Sequence, residues 1–125
     1  MAEIQALSLT NKDSTTNTFD VQHKSGFTAL WALLAASSTA LREKVKLSMR
    51  AATSKVDRRV ESVVTVPYEA QVNGITVTKY VSARTIYLIP DDAPVATSEQ
   101  LVARNASLSA EAVIASAVKD GAFPY

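Results

Sequence analysis

The chain has no cysteine, a single histidine and only three glycines in 125 residues. Without cysteine it has neither a disulfide framework nor a thiolate metal site, which suits a reducing compartment. Glycines at 26, 74 and 121 are too scattered to build a phosphate-cradling loop, and neither G-x-S-x-G nor H-E-x-x-H occurs. The one histidine, His23, stands in a polar stretch beside Lys24 and Ser25, a poor basis for acid–base catalysis. Asp91 and Asp92 follow Pro90, but no further ligands join them, so turn and helix-start chemistry explains them better than cation binding. The expectation is a protein without catalytic residues, metal or cofactor.

Long apolar runs are also missing. The most apolar stretch, Ala29 to Ala36, is about a third to a half of a membrane span. The opening MAEIQALSLTNKD lacks a basic leader followed by a long apolar block, so no signal peptide is expected. These features predict a soluble chain made inside the cell, with no membrane partner. The length fits one domain over residues 1–125, and 47% hydrophobic with 20% charged residues are globular values.

Net charge is only +1, yet its distribution is uneven. Arg42, Lys44, Lys46, Arg50, Lys55, Arg58 and Arg59 are seven of the thirteen basic residues, against Glu43 and Asp57 in the same stretch. A local basic stripe can bind phosphate backbones whatever the remaining surface carries.

The pattern along the chain is strands first and helices last. Residues 4 to 21 read as a hairpin, with Ile4 to Leu9 and Thr16 to Val21 flanking the polar turn Thr10 to Ser14. Phe27 to Leu34, around the only tryptophan, Trp31, reads as a strand, and Ala35 to Ala40 as a connection. In Lys44 to Arg50 the side chains of Lys44, Lys46, Ser48 and Arg50 alternate with Val45, Leu47 and Met49. On a strand that alternation gives one basic and one apolar face. The set Asp57, Arg59, Glu61, Val63, Thr65 alternates likewise with Arg58, Val60, Ser62, Val64, Val66, and Pro67 is expected to end the strand. Asn73-Gly74 is a strong tight-turn signal, because both central residues of a type I′ turn need positive φ. Val77 to Ile89 reads as a long strand closed by Pro90. Ser98 is the expected cap of a first helix, with Leu101, Val102 and Asn105 to Leu108 on its stripe. Ser109 is the expected cap of a second, stopped by Gly121 and the terminal Phe123-Pro124-Tyr125.

This order is α+β, and it poses a packing problem. Two alanine-rich helices offer little bulk for covering a sheet of this size, and such helices often pack against a partner subunit. The pattern itself therefore predicts a dimer.

Element order and four motifs resemble the levivirus coat proteins of small single-stranded RNA bacteriophages. They are Lys44-Val45-Lys46-Leu47-Ser48-Met49-Arg50; Arg58-Arg59 leading through valines to Val66-Pro67; a glycine turn followed by a long strand closing at Ile89-Pro90; and a tail from Gln100-Leu101-Val102 to Gly121-Ala122-Phe123-Pro124-Tyr125. Trp31 falls where family members often carry tryptophan. The resemblance implies an N-terminal hairpin, a five-stranded antiparallel sheet and two C-terminal helices that pack across the partner's sheet in an intertwined dimer. It also implies assembly into a T=3 icosahedral capsid around single-stranded viral RNA, with a single-copy maturation protein, and production in the bacterial host cytoplasm.

The matching RNA-face positions are Lys44, Lys46, Ser48 and Arg50 on the first basic strand, then Asp57, Arg59 and Glu61, then Ser82 and Arg84, with Tyr80 two residues before Ser82. Ser82 stands where some members use tyrosine, and Val63 and Ile86 stand where polar residues are common. The sequence thus supports general RNA packaging more firmly than recognition of a particular operator hairpin. Glu69, Ala70, Gln71, Val72, Asn73, Gly74, Ile75, Thr76, Val77, Thr78 and Lys79 match the loop through which dimers meet in the family. The competing expectation is a dimeric RNA- or DNA-binding module that uses a basic sheet face without assembling further.

Overall fold

A computed structural model describes residues 5–11, 15–34 and 41–121. Ile4, the Lys12 to Ser14 part of the first turn, the Ala35 to Ala40 connection and the tail after Gly121 lie outside the described residues. Six strands precede two helices: β1 (Leu7–Thr10), β2 (Thr16–Ser25), β3 (Thr28–Ala32), β4 (Lys44–Arg50), β5 (Arg58–Val72), β6 (Ile75–Ile89), α1 (Val95–Ala110) and α2 (Ala112–Asp120). The strands form one sheet in sequence order, each antiparallel to the next. The α+β architecture expected from sequence is present. The hairpin, however, is not separate from a five-stranded sheet: β2 serves both, pairing residues 16–19 with β1 and residues 20–25 with β3.

The core lies at the β1–β4 end. Phe19, Ala29, Trp31 and Val45 are buried together, with Leu7, Leu9 and Leu33 packed against them. The indole nitrogen of Trp31 donates to the carbonyl of Gln5 at 2.8 Å, satisfying the polar atom of a buried aromatic.

Pro67 does not end β5. The two-residue turn at Asn73 (φ 52°) and Gly74 (φ 79°) makes Val72 and Ile75 a hydrogen-bonded pair. Counting back along the register places Pro67 opposite Tyr80 in a non-hydrogen-bonded pair, so its nitrogen faces away from β6. On that side β4 has already stopped, its last partner being Thr65. A proline there removes no ladder bond, and β5 and β6 run on as a two-stranded arm.

The helix starts also differ from expectation. Pro94 (φ −61°, ψ 144°), not Ser98, caps α1 and accepts from the backbone N–H groups of Thr97 and Ser98. Its fixed φ prepares the turn without a side-chain acceptor. Glu111, in extended conformation, ends α1 and caps α2. Ser109 lies in the last turn of α1, its hydroxyl donating to the Asn105 carbonyl at 3.1 Å. Gly121 (φ 66°) closes α2 as expected, its N–H donating to Ala117 O. Among the described residues no single helix is long and apolar enough to cross a membrane.

Candidate nucleic-acid interface

Register assembles the two faces of the sheet. Lys44, Lys46, Ser48 and Arg50 stand opposite Thr65, Val63, Glu61 and Arg59 of β5. Those residues in turn stand opposite Ser82, Arg84, Ile86 and Leu88 of β6. Thr28 lies across from Ser48 on β3, and Tyr80 from Pro67. Directly paired residues share a face, so the sequence-predicted Lys44, Lys46, Ser48, Arg50, Arg59, Glu61, Tyr80, Ser82 and Arg84 all lie on one side. Asp57 precedes β5, and its backbone carbonyl accepts from Arg50 Nη2 at 3.1 Å.

The charges on this face divide into two groups. Arg59 Nη2 lies 2.7 Å from Glu61 Oε2, and Arg84 Nε lies 3.7 Å from Glu61 Oε1. Among the described residues, Lys44, Lys46 and Arg50 form no ion pair. The β4 cations are therefore uncompensated, while the arginines of β5 and β6 share one carboxylate.

Thr65 and Thr28 are among the polar members of the face that were not singled out from the sequence. Thr65, between Lys44 and Ser82 in the register, belonged to the alternating set around Glu61 and could have been named from parity alone. Thr28 could not, because alternation within β4 says nothing about where β3 pairs with it.

The opposite face is apolar and largely uncovered. Leu47, Met49, Val64 and Val81 are exposed, as are Leu101, Val102, Leu108, Val113 and Val118 on the helices. Neither helix buries a residue. A hydrogen bond of 3.0 Å from Asn105 Nδ2 to the Tyr87 hydroxyl ties α1 to β6. Val118 rims a groove lined by Val64, Val66, Val81 and Ala83, yet remains 82% exposed. The chain exposes 9562 Å² in all, where a compact monomer of its mass would expose about 6,500 Å².

The Glu69 to Lys79 segment forms the far part of the β5–β6 arm, with Val72 and Ile75 paired at the tip and both exposed.

No family model matches the sequence, and no curated protein does. Solved structures do match. The virus-like particle of bacteriophage AVE019 superposes with a TM-score of 0.89 at 17% identity, over 99% of this chain and 100% of that one. That of bacteriophage NT-214 gives 0.83 at 20% identity, over 99% and 100%. The bacteriophage GA protein capsid gives 0.72 at 18% identity, over 95% and 96%. The fold is that of the levi-like phage coat proteins. At 17–20% identity the likeness extends to topology and length.

Proposed function

We propose that this chain is the coat protein of a small RNA phage, residues 1–125 acting as one domain that dimerises, closes into a shell and holds single-stranded RNA against its polar sheet face. One observation carries the proposal: a single sheet presents uncompensated cations on one side and an uncovered apolar surface on the other. The excess exposure, about 3,000 Å² over a compact monomer, is on the scale that obligate partners bury. A second copy's helices, laid across the apolar face, would supply the cover that the chain's own helices do not.

The two sheet edges differ in a way that favours one pairing. At the opposite edge β1 is only four residues long, and beyond it, on β2, the register shifts between Val21 and His23 and the polar His23 and Lys24 follow, features that discourage further strand addition. The β6 edge has fifteen residues without proline or register shift. An open edge of that length joins readily to its own copy about a two-fold axis. Dimers joined through β6 present a continuous sheet whose polar face takes RNA, the lysines and arginine of β4 neutralising phosphates. The Glu69 to Lys79 arm, projecting beyond β4, reaches neighbouring dimers. That the similar solved structures are phage virus-like particles and a capsid supports the same reading. On this reading the protein is structural rather than enzymatic, is made in a bacterial cytoplasm and ends in the virion, where a single-copy maturation protein completes the shell.

The test is electron microscopy of the recombinant protein with absorbance at 260 and 280 nm on the same fraction. Uniform closed particles containing nucleic acid are expected. Dimers that bind RNA but never close would point instead to a non-assembling RNA-binding module.

A further inference from the structure

Glu61 is the unexpected residue on the proposed RNA face. Its carboxylate sits amid cations on a surface meant for phosphates, which a like charge repels. It is also well covered for a residue on an open sheet, with a side chain 16% exposed, against 41% for Arg59 and 65% for Arg84. Both guanidinium groups turn towards it, Arg59 at 2.7 Å and Arg84 at 3.7 Å on the other oxygen. Its directly paired same-face neighbours are Ser48 on β4 and Ile86 on β6, and Val63 follows it along β5, so the two guanidinium groups are its only ion-pair partners among the described residues.

We infer that Glu61 is a built-in counter-charge that holds Arg59 and Arg84 back from RNA, leaving phosphate binding to Lys44, Lys46 and Arg50. The inference rests on the RNA-face reading and deepens it. A phosphate can engage either arginine only by competing with a carboxylate already in place. The Arg59–Glu61–Arg84 group thus contributes one net positive charge where the two arginines alone would contribute two. A coat protein gains from such muting. Its packaging contacts must be numerous but individually weak, so that many copies rearrange on RNA while the shell closes. The sheet face is thereby split into a phosphate-binding strand, β4, and a charge-muted region on β5 and β6.

The experiment compares full-length dimers by fluorescence anisotropy on a fluorescein-labelled decauridylate across a salt series. Each phosphate contact on a single strand contributes about 0.7 to the slope of log affinity against log salt, or about fivefold in affinity at 0.1 M salt. Glu61→Gln should steepen the slope by about 0.7 to 1.4 per chain and tighten binding by about fivefold or more. The double variant Arg59→Gln/Glu61→Gln frees Arg84 alone and should keep only about half of the single variant's gain. Should the amide fail to fold, Glu61→Ser carries the same expectation. An unchanged or shallower slope in the carboxylate-free variant overturns the inference, as does a double variant that keeps the full gain. Lys46→Ala/Arg50→Ala in the same series separates the two levels. If it lowers the slope while Glu61→Gln does nothing, only the counter-charge fails; if it too does nothing, the RNA-face reading fails with it.

Discussion

The indole of Trp31 donates a hydrogen bond of 2.8 Å to the backbone carbonyl of Gln5, joining the third strand to the residues just before the first. Trp31 also sits in the small buried cluster with Phe19, Ala29 and Val45. One side chain thus anchors the N-terminal segment and fills the core.

Two substitutions separate those roles. Trp31→Phe keeps a ring in the core and loses the bond to Gln5, so it should destabilise by about 1 kcal/mol. Trp31→Ala also opens a cavity and should cost about 3–5 kcal/mol. Denaturant titrations at matched protein concentration check this, since the proposed dimerisation would make stability concentration-dependent. Equal losses for the two variants would mean that the ring contributes little packing.

Lys46→Ala/Arg50→Ala removes two cations that carry no ion pair among the described residues. The dimer should persist, and the salt slope of oligouridylate binding should fall by about 1.4 per chain. Sedimentation and the anisotropy salt series measure the two quantities independently.

At the arm tip Gly74 has φ 79°, and a Cβ built there meets nothing within 4 Å. The penalty for Gly74→Ala is therefore one of backbone conformation alone, about 1 kcal/mol. Thermal unfolding should show a small loss. Asn73→Gly, at φ 52°, relieves the same kind of strain and should not reproduce it.

Much of this fold was legible because alternation is a local signal. Lys44 to Arg50 and Asp57 to Val66 announced their faces through residue parity, and Asn73-Gly74 announced the turn that fixes the β5–β6 register. What failed depended on neighbours. Pro67 is a strand breaker in isolation but harmless once β4 has stopped beside Thr65, and sequence alternation does not reveal where a neighbouring strand stops. Ser98 and Ser109 looked like caps, yet Pro94 and Glu111 hold the cap positions. The Glu61 clamp was missed for a related reason. Parity put Arg59 and Glu61 on one face and the family resemblance added Arg84, but only the β5–β6 register brings Arg84 within reach of the carboxylate.

The β6 edge gives a further test. Counting from the turn, Ser82 is in a non-hydrogen-bonded pair with Thr65, so its N–H points to the open edge and Ser82→Pro leaves the β5 ladder untouched. The same proline removes a donor at the middle residue of β6. The variant should lose dimers and particles in size-exclusion chromatography with light scattering. A normal dimer would show that the subunits join elsewhere.

How two chains meet and which face turns inward are both read at once by a cryo-electron microscopy reconstruction of the assembled particle. It should show two β6 strands antiparallel about a two-fold axis, each chain's helices over its partner's apolar face, and Lys44, Lys46 and Arg50 lining the interior beside RNA density. A shell with the β4 cations on its outer surface, or dimers joined through another edge, would contradict the proposed assembly.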